Sequence, residues 1–139
     1  MLVKYDSNGT AQWAKSVTAG SNISWFNAVA ADSAGNVYAA GTQYGAGIND
    51  YGTGISAAGV YLYGENLLIV KYDSGGTAQW AKSVSTGNFD SRFNALAADT
   101  SGNVYAAGCQ NGDGTFTYSP GVTLTGTSYF ENAVLVKYQ

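Results

Sequence analysis

The sequence predicts an all-β protein made of repeated units, and three observations lead to this fold class. Two long blocks of the chain are each written twice, short apolar runs alternate with Gly-containing turns, and no segment shows apolar residues at helical spacing with caps. The 139 residues are therefore expected to form two tandem units rather than one self-sufficient domain.

The repetition is close to identity in both blocks. The first block, KYDSNGTAQWAKSV at residues 4–17, returns at 71–84 with one change. The second block, FNAVAADSAGNVYAAG at residues 26–41, returns at 93–108 with three changes. Residues at equivalent positions of the repeat are called counterparts below; they lie 67 positions apart, except that residues 65–72 answer to 131–138 at a spacing of 66.

A Val-Lys-Tyr triplet appears a third time near the end of the chain, where it indicates one strand more than two units need. The expected organisation is two propeller-like repeat units at about 1–67 and 68–134, with a final surplus strand at 134–138.

Each unit is expected to be a four-stranded antiparallel meander, whose strands we label a to d. Strands a (27–32) and b (36–41) flank a short Gly-containing turn of hairpin type. Strands c (68–73) and d (78–84) flank a second turn-like segment. Strands a and b are rich in Ala, whereas c and d carry bulkier side chains, so packing space is expected to be tight near a. A fan of sheets about an axis has this taper, which favours β-propeller blades over a sandwich.

The repeated pattern resembles a bacterial β-propeller repeat family found in large surface or secreted proteins. The motif A-x-A-x-D-x-x-G-N-V-Y-x-x-G lies within residues 26–41 and 93–108, and V-K-Y-D-x-x-G-x-x-x-W lies at 70–80. The resemblance implies the propeller fold and a secreted or cell-surface parent protein. It implies little about a ligand, because propellers host many functions. The connection between strands b and c is longer than in common propeller repeats.

Two blades cannot close a propeller ring, which usually has about four to eight blades. The chain is therefore expected to associate head to tail with copies of itself, as a cyclic trimer with six blades or a tetramer with eight. Read in order, its strands are c-d, a-b-c-d and a-b-c, so strand d of one copy can complete the last blade of the next. One strand c, either 2–5 or 134–138, is then displaced, and the chain is expected to be a fragment or an engineered piece of a longer array. The residues expected at blade closure are Val3, Tyr5, Trp13, Val17, Trp80, Val134, Val136 and Tyr138.

The long loops carry most of the remaining aromatic residues, and strand alternation places these loops on one face of the ring. Aromatic residues on loops held by a rigid scaffold suit a carbohydrate or protein ligand, so the alternative function is a multivalent glycan-binding or protein-binding propeller that uses the long-loop face. The competing interpretation is that these loops pack on themselves, with an extra hairpin in each long loop. The candidate ligand-binding residues are Trp25, Tyr44, Tyr51, Arg92, Tyr118 and Tyr129.

Composition argues against catalysis, metals and charged partners. The chain has no His, so a Ser-His-Asp or Cys-His arrangement cannot form, and Glu65 and Glu131 are repeat counterparts rather than a local acid pair. The chain has six Lys and Arg residues, which are scattered along the sequence, and its net charge is -3. This charge distribution predicts neither a nucleic-acid nor a membrane partner. We expect no catalytic residue and no cofactor or metal. No secretory signal is recognised at the start of the sequence, so localisation stays open.

Four Asp residues precede Gly by two or three positions and invite comparison with calcium loops. A Ca²⁺ site needs several oxygen ligands converging in one loop, and these loops offer too few carboxylates. An Asp side chain that accepts hydrogen bonds from its own turn explains the pattern without a metal. The four residues are Asp6, Asp32, Asp73 and Asp99.

Overall fold

The computed structural model describes residues 1–139 as thirteen β-strands and no helix, with 59% of the residues in strands. The all-β prediction is confirmed, and the sheets are antiparallel and open. No helix is present that could cross a membrane. The strands are β1 (Leu2–Tyr5), β2 (Ala11–Lys15), β3 (Ser24–Ala31), β4 (Val37–Tyr44), β5 (Ile48–Gly52), β6 (Ile55–Ala58), β7 (Glu65–Tyr72), β8 (Ala78–Lys82), β9 (Ser91–Ala98), β10 (Val104–Asn111), β11 (Thr115–Ser119), β12 (Val122–Thr125) and β13 (Glu131–Tyr138).

Three sheets carry the repeated strands. The central sheet has four antiparallel strands in the order β3-β4-β7-β8, which correspond to strands a, b, c and d of one meander and cross the boundary between the two sequence units. A two-stranded sheet, β1-β2, contains only strands c and d. A three-stranded sheet, β13-β10-β9, contains strands c, b and a, and has no strand d. The chain therefore holds one sheet with all four strands and two incomplete sheets.

Each long connection between strands b and c folds into an additional hairpin. The hairpins pair β5 with β6 and β11 with β12. Each hairpin is tied to the loop between strands d and a by an isolated bridge, Ala19 to Asp50 in one unit and Thr86 to Thr117 in the other. The long loops thus pack against their own unit, as the competing interpretation of the loops expects.

The tight turns are closed by Asp side chains. In the turn between β3 and β4, Oδ1 of Asp32 accepts hydrogen bonds from the backbone N–H of Ala34 at 3.0 Å and of Asn36 at 2.9 Å. The Asn36 side chain also donates to this carboxylate, which lowers the pKa of Asp32. The turns at Asp6, Asp73 and Asp99 repeat the two backbone bonds. These carboxylates stabilise turns by hydrogen bonding.

Two apolar clusters hold the sheets together, one on each face of the central sheet. The larger cluster joins the central and three-stranded sheets and includes Leu67, Ile69, Phe93 and Val104. The smaller cluster includes Leu68, Val70 and Tyr72, against which residues of the β1-β2 sheet pack. Adjacent residues of β7 therefore enter different clusters, since successive side chains of a strand point to opposite faces. This double burial explains why strand c reads as a continuous apolar run.

Candidate self-association surfaces

The junction between the central and three-stranded sheets shows how two neighbouring units pack. From the central sheet, Tyr38, Ala40, Leu67 and Ile69 enter the junction, and each is 0 or 1% exposed. From the three-stranded sheet, the opposing apolar side chains are Phe93, Leu96, Val104, Ala106, Val134, Val136 and Tyr138. We call this contact the internal junction.

Aromatic side chains on the edge strands β2 and β8 connect each sheet to the next. The ring centroid of Trp80 on β8 lies 6.0 Å from that of Tyr138 on β13 and 6.0 Å from that of Tyr38 in its own sheet. Trp13 on β2 repeats the first contact, 6.1 Å from Tyr72 on β7. Tilted pairs at these distances are favourable beyond their buried area. The two Trp residues thus make equivalent contacts between sheets.

Polar contacts join the same two sheets at the other end of strand c. The backbone N–H of Glu65 donates to Oδ1 of Asp90 at 2.7 Å, and that of Leu67 donates to Oγ of Ser91 at 3.1 Å. Arg92 forms ion pairs with Glu65, at 3.5 Å, and with Glu131. The first half of strand c in the central sheet is therefore hydrogen-bonded to the start of β9 in the three-stranded sheet as well as to its own sheet.

The outer face of the three-stranded sheet repeats one side of the internal junction but has nothing packed on it. Leu135 on β13 is 71% exposed, whereas its counterpart in the central sheet, Ile69, is fully buried. Tyr105 and Ala107 are also more exposed than their counterparts in β4, and Ala133 is exposed. We call this surface the open outer face.

The face of the central sheet that is turned away from the three-stranded sheet repeats the other side of the internal junction. The β1-β2 sheet covers part of the central sheet and leaves an apolar groove of about 340 Å³ beside it. Val29 is 58% exposed at this groove, whereas its counterpart Leu96 packs in the internal junction. We call this surface the open groove. Its apolar lining includes Leu2, Val3, Trp13, Val29, Ala31 and Val37.

The predicted closure residues divide into two groups in the structure. Tyr5 is 60% exposed, and Trp13 lines the open groove. Val134, Val136 and Tyr138 instead point inward and are only 4–9% exposed. The exposed apolar side chains of β13 are Ala133 and Leu135, which alternate with the buried ones and are not among the predicted closure residues. Of the other closure residues, Val3 lines the groove, Val17 packs against the smaller cluster and Trp80 against the larger one.

The candidate ligand-binding residues do not share one environment. Tyr51 and Tyr118 are buried, and their hydroxyls donate to Oε1 of Gln43 and Gln110 respectively. These two residues pack the hairpins onto their units and are only 2–3% exposed. Arg92 is half-buried in its ion pairs. The three exposed members of the set are Trp25, Tyr44 and Tyr129.

Tyr72 carries a prediction about alkaline stability. Burial raises the pKa of Tyr72 from 10.0 to about 12, and its buried hydroxyl has no hydrogen-bond partner. Between these pH values the unfolded chain releases the phenol proton and the folded chain keeps it, so the free energy of unfolding falls as pH rises. Tyr72→Phe should reduce this fall by up to about 1.4 kcal/mol per pH unit and change stability little at pH 7.

Urea denaturation of Tyr72→Phe at a series of pH values from 7 to 12 tests this expectation, with its exposed counterpart variant Tyr5→Phe as control. An unchanged alkaline slope in Tyr72→Phe would contradict the assigned burial effect.

Comparison with models of known protein families finds no match, and no curated protein matches the chain significantly. No group of three or more Cys, Asp or Glu side chains comes together as a metal site.

Proposed function

We propose that the chain is a non-enzymatic structural module, a two-blade portion of a β-propeller that closes a ring with copies of itself. One observation carries the proposal: the open outer face and the open groove are repeat counterparts of the two sides of the internal junction. One chain therefore presents, at opposite ends, both halves of a contact that it already makes internally. Joining these ends generates a heterologous, head-to-tail contact, which gives a closed ring when the rotation per copy divides a full turn.

Energetics support association. Exposed apolar side chains occur at both ends, and burying apolar surface stabilises by roughly 25 cal/mol per Å². The incomplete sheets also leave strand edges unpaired, and such edges readily accept another strand. A ring of three or four copies would bury both surfaces and complete the sheet that has no strand d. The family resemblance adds the proposal that the parent array belongs to a bacterial surface or secreted protein.

The glycan-binding alternative loses support from the structure. Its two repeat-equivalent tyrosines, Tyr51 and Tyr118, are buried in the hairpins and are not offered to a ligand. A multivalent site with one copy per blade would need residues repeated and exposed in both units.

Native mass spectrometry of the purified chain at micromolar concentration tests the proposal. We expect one dominant species, a trimer or a tetramer. A monomer would refute self-association, and an open series of sizes would refute ring closure.

A further inference from the structure

We infer that ring closure occurs by strand exchange, in which β13 of one copy displaces β1 of the next and pairs with β2 in its place. This inference rests on the proposed self-association, because the exchange has no meaning for an isolated chain. Both β1 and β13 are versions of strand c, and a closed sheet has room for one of them. Three properties of the two strands indicate that β13 takes the position beside β2.

The first property is length. In the central sheet, strand c is the eight-residue β7: its first half pairs only with β4, and its second half pairs with both β4 and β8. β13 has the same eight residues and is paired with β10 along its whole length. β1 has four residues and corresponds to the second half alone. A sheet completed with β1 would therefore lack half of strand c.

The second property is the bonding of the missing half. In the internal junction, this half supplies the N–H of Leu67 that donates to Oγ of Ser91. The counterparts are Ala133 on β13 and Ser24 on β3. No residue of β1 corresponds to Leu67, so only β13 of a neighbouring copy can donate to Ser24 in this way. The contact between sheets is thus reproducible between copies only through β13.

The third property is the register with strand d. β1 pairs with β2 as Leu2 to Lys15, Val3 to Ala14 and Lys4 to Trp13. β7 and β8 use the same register in the central sheet. The sequence Leu-Val-Lys-Tyr of β1 recurs identically at 135–138. Exchange therefore replaces one ladder on β2 by an identical ladder, whereas displacing β13 would break its pairing with β10. In the isolated chain, β1 therefore pairs with the edge of β2 to which β13 of another copy binds in the ring.

Cysteine cross-linking distinguishes the two arrangements. The background is Cys109→Thr, since Cys109 is the one cysteine and its counterpart is Thr42. The exchange pair is Ala14→Cys with Val136→Cys, chosen because the counterparts Val70 and Ala81 are register partners in the central sheet. The matched control pair is Val3→Cys with Ala14→Cys, which are register partners within one chain. Directly opposed residues in antiparallel strands lie close enough for a disulfide to form.

Each pair is assembled, oxidised mildly and run on a non-reducing denaturing gel, with native mass spectrometry in parallel. We expect the exchange pair to give chain-to-chain cross-links up to the ring size, and the control pair to stay uncross-linked in the assembled fraction. An assembled protein whose exchange pair stays uncross-linked, while the control pair closes within each chain, would overturn strand exchange but keep self-association. A purely monomeric protein would overturn both.

A deletion provides a second readout that needs no cysteine. Removing residues 1–5 should leave assembly intact or shift it to lower protein concentration, because β2 no longer has to release β1. Loss of assembly in this variant, with a folded circular dichroism spectrum, would overturn the inference.

Discussion

Leu135→Asp is expected to abolish self-association and to leave the monomer folded. In the single chain, Leu135 is 71% exposed, so a carboxylate there remains in water. In the proposed ring, Leu135 would be buried in the same way as its counterpart Ile69, which is 0% exposed. Burying an unpaired carboxylate costs several kcal/mol, so a loss of about 3 kcal/mol per contact weakens each contact more than 100-fold. Sedimentation velocity and circular dichroism measure the two parts of this expectation.

Two control variants make the result specific. Leu124→Asp places the same charge on β12, where Leu124 is 39% exposed and belongs to neither open surface, so assembly should persist. Ile69→Asp alters the buried counterpart and should unfold the monomer itself. Normal assembly by Leu135→Asp would contradict the assignment of the open outer face.

Much of the fold is predictable from the sequence, because the turns between strands a and b and between strands c and d carry strong turn signals. Strands a and b were expected at 27–32 and 36–41, and β3 (Ser24–Ala31) and β4 (Val37–Tyr44) lie there with longer far ends. The repeat fixes the boundaries twice over, since a strand assigned in one unit must recur in the other. The order of strands in the sheets follows from the same meander.

Which face of a strand remains open could not be read from the sequence. β7 and β13 have similar apolar patterns, yet the neighbouring positions Leu68 and Ile69 of β7 are both buried, while Val134 is buried and Leu135 exposed in β13. The difference arises because sheets lie on both sides of β7 and on one side of β13. Burial here depends on the number of neighbouring sheets, which no local pattern encodes.

The candidate ligand residues illustrate a second limit of sequence reasoning. Loop position and aromatic character selected Tyr51 and Tyr118, but both lie on hairpin strands, β5 and β11, that fold back onto their units. The signal that could have found this is alternation: Asn49 and Tyr51 are buried on β5, while Ile48 is exposed. An extra hairpin in each long loop is an expectation of the sequence, but loop position and aromatic character do not show which face of its strands is buried.

Trp80→Ala is expected to destabilise the monomer, and Trp13→Ala is expected mainly to weaken assembly. The two Trp residues are counterparts, but their aromatic neighbours differ. Trp80 packs on Tyr38 in its own sheet and on Tyr138 in the next, with both partners supplied by the same chain. Trp80 is half-buried, and removing it takes both contacts away from the internal junction. Trp→Ala changes at fully buried sites cost about 3 kcal/mol or more, so Trp80→Ala should lower the free energy of unfolding of the monomer by about 2 kcal/mol.

Trp13 has only one of these partners in its own chain. It packs on Tyr72, and its indole N–H donates to the carbonyl oxygen of Ser74 at 3.3 Å. The counterpart of Tyr38 is Tyr105, so in the proposed ring Tyr105 of a neighbouring copy would give Trp13 its second aromatic neighbour. Trp13→Ala should cost the monomer about 1 kcal/mol and should weaken assembly more than tenfold, since the cavity then lies between copies.

Measuring both variants in the Leu135→Asp background isolates the monomer, and measuring them without it reports on assembly. Tyr105→Ala provides the matched test from the other side, because Tyr105 is the side chain that the ring would place against Trp13. It should weaken assembly as Trp13→Ala does, and the double variant should lose little more than either alone, as for residues in direct contact. Equal monomer losses for Trp13→Ala and Trp80→Ala, or additive assembly losses for Trp13→Ala and Tyr105→Ala, would refute this pairing between copies.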